Sequence, residues 1–224
     1  MILYNAKMNI KVKKATKLEI EAIKSLFLEH YPDGVTELDY TNIYELLISV
    51  MLSAQCTDKR VNIITPALFC IYPTSFELAN ANVDDIKLLI NSCSFFNVKA
   101  ENLIKMARSL VENFGGEVPL NQKDLMSLAG VGQKTANVVL SEYLGANCIA
   151  VDTHVFRVAH RLGLSDAATA LKTEDELTKK FKTQLHLLHQ AMVIFGRYHC
   201  KAINPQCGGC FLAHLCKSNG RFKV

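Results

Sequence analysis

The chain has 224 residues and a mass of 24.9 kDa, room for one large domain or two small ones packed together. Half of the residues are hydrophobic, 21% are charged, and there are only 11 Gly and 5 Pro, which excludes a disordered, collagen-like or Pro-rich linker protein. No apolar run reaches the ~18–20 residues that span a bilayer, and Lys7, Lys11, Lys13 and Lys14 precede no apolar stretch of the secretory kind, so a cytoplasmic chain with no membrane partner is expected.

The periodicity is helical nearly throughout, and an all-α fold is expected. Thr16-Lys17-Leu18-Glu19 is a capping-box pattern. It opens a helix with Ile20, Ile23 and Phe27 on one face, stopped by Pro32-Asp33-Gly34. Asn42 and Glu45 open the next, through Leu46, Leu47, Val50 and Met51. Asp58 is placed to cap a third that passes Val61 and Ile64, with a break expected near Pro66. A segment from Val83 to Ile90 follows, then a long helix over 99–114, ended by Gly115-Gly116 with a left-handed cap. Further helices are expected over 122–128, 133–144, 152–162, 173–184 and 185–196.

Four segments carry chemistry. The first is Cys200-x6-Cys207-x2-Cys210-x5-Cys216. Four thiols in so short a loop can wrap one metal centre, and Gly208 and Gly209 free the middle turn. A structural zinc site usually shows two short Cys pairs, and here there is one, so a cubane iron–sulfur cluster suits the spacing at least as well. Cys56, Cys70, Cys93 and Cys148 stand among apolar residues and read as buried thiols. The second is Leu128-Ala129-Gly130-Val131-Gly132-Gln133-Lys134-Thr135. Its glycines turn the chain into a new helix, whose positive end and backbone N–H groups can hold a phosphate without a side chain. The third is Val151-Asp152-Thr153-His154, where Asp152 caps a helix. The fourth, Ser53-Ala54-Gln55-Cys56-Thr57-Asp58, is a polar break between two apolar helices.

Charge adds to this. The last acidic residue is Glu176, and eight Lys or Arg follow it, leaving 17 basic against 21 acidic residues in the first 176 positions. A basic end on a mildly acidic body fits a polyanionic partner.

In order and spacing, the four segments resemble the endonuclease III family of DNA glycosylases, from about Thr16 to Lys217. The resemblance implies a helix–hairpin–helix fold, with a six-helix bundle over 36–146. It also implies a second domain, built from 1–35 and 147–224, that carries a [4Fe–4S] cluster on Cys200, Cys207, Cys210 and Cys216. Its partner would be double-stranded DNA containing damaged pyrimidines or abasic sites, and the expected state is a monomer. Lys134 would attack the sugar C1′ and leave a Schiff base that permits β-elimination, with Asp152 stabilising the cationic sugar. Gln55 would fill the hole left by a flipped nucleotide and Phe95 would wedge into the stack. Gly130, Val131 and Gly132 would meet phosphate through their backbone, and Lys201 through its charge.

Three departures from the family stand out. Ala129 takes the place of a usual Pro, there is no Trp, and residues 1–14 precede the matched region, with Met8 a second candidate start. The related mismatch adenine glycosylases place a carboxylate near the position of Ser49 and lack the Lys, and a non-catalytic DNA-binding module would need neither Lys134 nor Asp152.

Overall fold

The first helix starts where Thr16 closes a reciprocal cap: its backbone N–H donates to Glu19 Oε2 at 2.7 Å and its hydroxyl accepts from the Glu19 N–H at 3.4 Å. The computed structural model describes residues 13–220; Lys7, Met8 and Lys11 lie outside them. Helix α1 (Lys17–His30) buries Ile20, Ile23 and Phe27, as its periodicity requires. All the regular elements among the described residues are helical.

The described residues form two compact units, 35–148 and the pairing of 13–34 with 149–220, each with its own apolar core. The central unit opens with α2 (Ile43–Ser53), capped by Asn42, whose side-chain oxygen accepts from the Glu45 N–H at 3.0 Å. Every residue from Leu46 to Leu52 in α2 is buried, so this helix is enclosed on all sides. Helix α3 (Asp58–Ile71) is capped by Thr57, not Asp58. The Thr57 hydroxyl accepts from the Arg60 N–H at 3.2 Å, and Asp58 instead puts its charge in the first turn, at the positive end. Nor does α3 break at Pro66. The ring faces solvent, where water can take the carbonyl that the missing N–H leaves unpaired.

Helix α4 (Ser75–Ala79), absent from the sequence reading, carries the same capping box in Thr74 and Glu77 that marked α1. Helix α5 (Val83–Ile90) lies where expected. Helix α6 (Phe96–Phe114) begins three residues before Lys99, because the Lys99 N–H already bonds to Phe95 O at 3.1 Å. It ends on Gly115 in the left-handed region, φ 62°. Helix α7 (Gln122–Leu125) is shorter than expected, since Leu128 turns back to Leu125 O at three-residue spacing. Helix α8 (Gln133–Leu144) completes this unit and packs along α2.

The other unit joins α1 to α9 (Thr153–Leu162), α10 (Ala170–Phe181) and α11 (Leu185–Ile194). Helix α10 starts and stops three residues earlier than the expected 173–184. Thr169 caps its start, and Lys182 ends it at φ 64°. Helix α11 stops short of 196 and passes into a π-helical turn over Phe195–His199. In this core Phe27 meets Phe195 edge-on with centroids 5.5 Å apart, and Phe211 from the C-terminal loop meets Phe27 at 6.0 Å.

Candidate functional site

The hairpin between α7 and α8 separates its two glycines by role. Gly130 has φ 78°, and a Cβ there would meet Asn102 and Met51 atoms at 3.1 Å. The fold itself therefore demands glycine. Gly132, the N-cap of α8, has φ −95°, which any residue adopts, and a Cβ there would meet nothing within 4 Å. Packing gives no reason for glycine at 132. Val131 buries its side chain in the core and turns its N–H inward to Leu128 O at 3.1 Å. The surface that the hairpin offers is thus centred on exposed Gly132, with exposed Lys134 in the first turn of α8.

Two loops of the same unit hold non-glycine residues in the left-handed region: Gln55 at φ 56° and Phe95 at φ 57°. Each such position costs about 1–3 kcal/mol, which the surrounding structure must offset. The Phe95 ring is 64% exposed. The fold brings these two loops together. Lys99 Nζ, from the first turn of α6, donates to Leu52 O at 2.8 Å and Ala54 O at 2.7 Å, and Cys56 Sγ lies 3.1 Å from Cys93 Sγ. Burial holds the Lys99 ammonium below its ordinary range, with the two thiols opposing. Sequence reading missed Lys99, since its partners lie more than forty residues away. Ser49 is fully buried within α2.

In the other unit Asp152 caps α9, its Oδ1 accepting from the Val155 N–H at 2.7 Å. It is half-buried. Two arginines one turn apart on α9 hold the start of the cysteine loop. Arg157 Nε donates to Cys200 O at 3.0 Å. Arg161, 3% exposed, donates to Lys201 O at 2.7 Å, Ala202 O at 3.1 Å and the Cys200 sulfur at 3.3 Å. Neither arginine was singled out from the sequence, since the loop they hold begins some forty positions further along the chain. Lys201 is exposed, and Gly209 turns the loop at φ 78°.

Cys200, Cys207, Cys210 and Cys216 line one pocket, together with Arg161 and Leu212. Among the described residues no group of three or more His, Cys, Asp or Glu is drawn together tightly enough to hold a single ion. The four cysteines enclose a pocket, and a cubane held by four thiolates would take such room. Burial raises the Cys210 and Cys216 thiols; a backbone N–H opposes it in each, and the neighbouring sulfurs add a smaller push upward. That like-charge crowding is relieved when four thiolates face one cationic centre. The residues present therefore fit a cluster, with the Arg161 guanidinium as a further counter-charge.

Residues 48–183 match the HhH-GPD superfamily of base excision DNA repair proteins, and residues 200–216 match the iron–sulfur binding domain of endonuclease III. The chain belongs to the endonuclease III family of base-excision DNA glycosylase/AP lyases. It is 44% identical to endonuclease III of Haemophilus influenzae over 84% of this chain and 90% of that one. Against endonuclease III of Escherichia coli K12 it is 39% identical over 92% and 97%. A trapped endonuclease III–DNA covalent intermediate matches with a TM-score of 0.85 and 42% identity, covering 92% of this chain and 98% of that one. The family's cofactor is a [4Fe–4S] cluster, its fold is helix–hairpin–helix, and its members bind DNA. No helix among the described residues is long and apolar enough to cross a membrane.

Proposed function

We propose that this chain, acting as a monomer, removes oxidised pyrimidines from duplex DNA and then cuts the strand at the abasic sugar. The observation that carries the reading is the start of α8: an exposed amine, Lys134, two residues from Gly132, a glycine that packing does not require. A phosphate approaching the Gly132 backbone would meet the positive end of α8 and present the neighbouring sugar to Lys134.

The amine attacks C1′ after losing its proton, since an ammonium has no lone pair. The N-glycosidic bond breaks and the base leaves with a proton. The nitrogen–C1′ bond then becomes an imine as the C1′–O4′ bond breaks and O4′ takes up the amine proton; the imine acidifies C2′, loss of that proton expels the 3′ phosphate, and water releases Lys134. Asp152 serves as the anion that stabilises the cationic sugar and relays protons. Its cap bond engages Oδ1, so a structural and a chemical role are compatible. Gln55 and Phe95 occupy the gap and the stack once the nucleotide is extruded. Cys200, Cys207, Cys210 and Cys216 hold the cluster, which supplies a cross-link across the C-terminal loop; Arg157 and Arg161 orient that loop, and Lys201 meets phosphate from it.

Borohydride trapping on an abasic duplex tests this directly. The native chain should become covalently fixed to DNA. Lys134→Gln should lose trapping and strand cleavage while still binding, because the amide has similar reach and forms no imine. Undiminished trapping in that variant would remove Lys134 from the role. Absence of trapping in the native chain would favour a monofunctional adenine glycosylase or a non-catalytic binding module.

A further inference from the structure

Cys56 and Cys93 are thirty-seven residues apart in sequence, yet their sulfurs lie 3.1 Å apart. Cys93 is 3% exposed and also approaches Leu52 O, at 4.0 Å, while Cys56 is half-buried and so the one that solvent reaches. The two thiols sit at the roots of the two strained loops. Gln55, in the left-handed region, immediately precedes Cys56, and Phe95, likewise left-handed, comes two residues after Cys93. Lys99 fastens the first of these loops to α6 from the same side.

We propose that Cys56 and Cys93 form a reversible disulfide when the protein meets a peroxide, and that this bond ties the Gln55 loop to the Phe95 loop. The consequence for DNA rests on the proposed roles of Gln55 and Phe95; the bond itself does not.

The chemistry balances in two steps. The Cys56 thiolate attacks one oxygen of hydrogen peroxide. An S–O bond forms, the O–O bond breaks, and the leaving hydroxide takes up the thiol proton as water. The Cys93 sulfur then attacks the Cys56 sulfenic sulfur; an S–S bond forms, the S–O bond breaks, and hydroxide departs with the Cys93 proton as a second water. Two thiols and one peroxide thus give one disulfide and two waters. Burial, the largest cause, together with the neighbouring thiol pushes Cys93 up to about 12. It therefore stays protonated at neutral pH and acts second, not first.

A disulfide sets its sulfurs about 2.0 Å apart, so the pair must close by roughly 1 Å. That displacement falls next to two backbone positions already in an unfavoured region, and it couples loops that must each fit a separate place in an opened duplex. Oxidation therefore weakens DNA binding, and a dithiol restores it. Of the other cysteines of this unit, Cys70 is exposed on α3, and Cys148 donates to Asn137 O at 3.4 Å.

The test uses the cluster-loaded protein, with its visible absorption followed to confirm that peroxide leaves the cluster intact. After stoichiometric hydrogen peroxide, remaining thiols are alkylated and the protein is digested. The expected product is a cross-linked peptide pair joining Cys56 to Cys93, two hydrogens lighter than the reduced pair and separated again by dithiothreitol. Cys93→Ser should accumulate a Cys56 sulfenic acid that dimedone captures, and Cys56→Ser should leave Cys93 a thiol. Binding to a duplex with a stable abasic analogue should fall on oxidation of the native chain, recover on reduction, and ignore peroxide in Cys56→Ser. A native Cys56 that proceeds to sulfinic acid beside a free Cys93 overturns the disulfide. A cross-linked protein that binds as before, or a peroxide effect that persists in Cys56→Ser, overturns the coupling to the loops. If the reduced native chain fails to bind the duplex at all, the functional reading of Gln55 and Phe95 falls, while the peptide map still decides the bond.

Discussion

Two glycines separated by one residue illustrate how little the residue type says until its surroundings are known. At Gly130 both the positive φ and the crowding by Asn102 and Met51 require the absence of a side chain. Gly130→Ala should therefore cost about 2–4 kcal/mol, from left-handed strain plus overpacking. It should lower the melting temperature by roughly 2–4 °C for each of those kcal/mol. Gly132→Ala should leave thermal stability within about 0.5 kcal/mol. Its effect should appear only with DNA, as weaker binding at every salt concentration with an unchanged salt slope, since a Cβ there blocks approach without removing charge. Melting curves and salt titrations on both variants check the pair; a destabilised Gly132→Ala that binds DNA normally would reverse the assignment.

Elements in this chain are started by short-range signals and held in place by long-range ones. Helix α1 shows both. Its capping-box carboxylate, Glu19, also pairs with Lys217, the residue after the last cluster cysteine. That pairing first, and the bond from the Thr16 backbone next, hold the Glu19 carboxyl down at about 2. A carboxylate depressed in the folded state stabilises above its unfolded value, near 4.5, and loses that contribution as pH falls through the folded one. Native stability should therefore decline between about pH 4.5 and pH 2, and Glu19→Gln should be less stable at neutral pH and flatter across that window. Acid titrations followed by circular dichroism measure this.

Helix α9 couples its length to the cysteine loop through Arg161, whose guanidinium bonds the carbonyls of Cys200, Lys201 and Ala202 and the Cys200 sulfur from a buried position. Arg161→Ala should leave the Lys201 and Ala202 carbonyls without this donor, at about 1–3 kcal/mol each where water cannot reach. It should reduce iron content below the roughly four per chain of a cubane. Iron analysis of anaerobically purified protein is the readout, and full occupancy in the variant would show that the loop closes without this arginine.

Across the whole molecule, charge is divided rather than balanced. The basic excess after Glu176 places Lys201 exposed at the loop that α9 supports, whereas the hairpin in the other unit offers backbone at Gly132 with an open face. Binding should divide accordingly into a salt-sensitive and a geometry-sensitive part. Lys201→Ala should flatten the slope of log K against log salt by roughly 0.9 if it neutralises one phosphate of duplex DNA. An unchanged slope on an abasic-analogue duplex would take Lys201 out of the interface.

What the sequence determined by itself is what depends on a few adjacent residues. The caps at Thr16, Asn42 and Asp152 and the left-handed stop at Gly115 are each complete within one or two helical turns, and the four cluster cysteines fall within a single stretch of 17 residues. Each follows from backbone groups that local side chains satisfy or from thiols that one short loop can gather. Where two local signals competed the reading slipped by a residue, as with Thr57 and Asp58. It failed at Pro66 because the cost of a proline depends on whether its face meets solvent.

The tertiary structure alone decided the rest. It exposed Phe95, set Gln55 in the left-handed region, brought Cys93 against Cys56 and Lys99 against Leu52, and laid Arg157 and Arg161 across the start of the cysteine loop. It also separated Gly130 from Gly132. These facts depend on partners some thirty-five to fifty positions away, or on the space left for a Cβ. Only the packing of whole helices brings such partners together, and no local pattern encodes it.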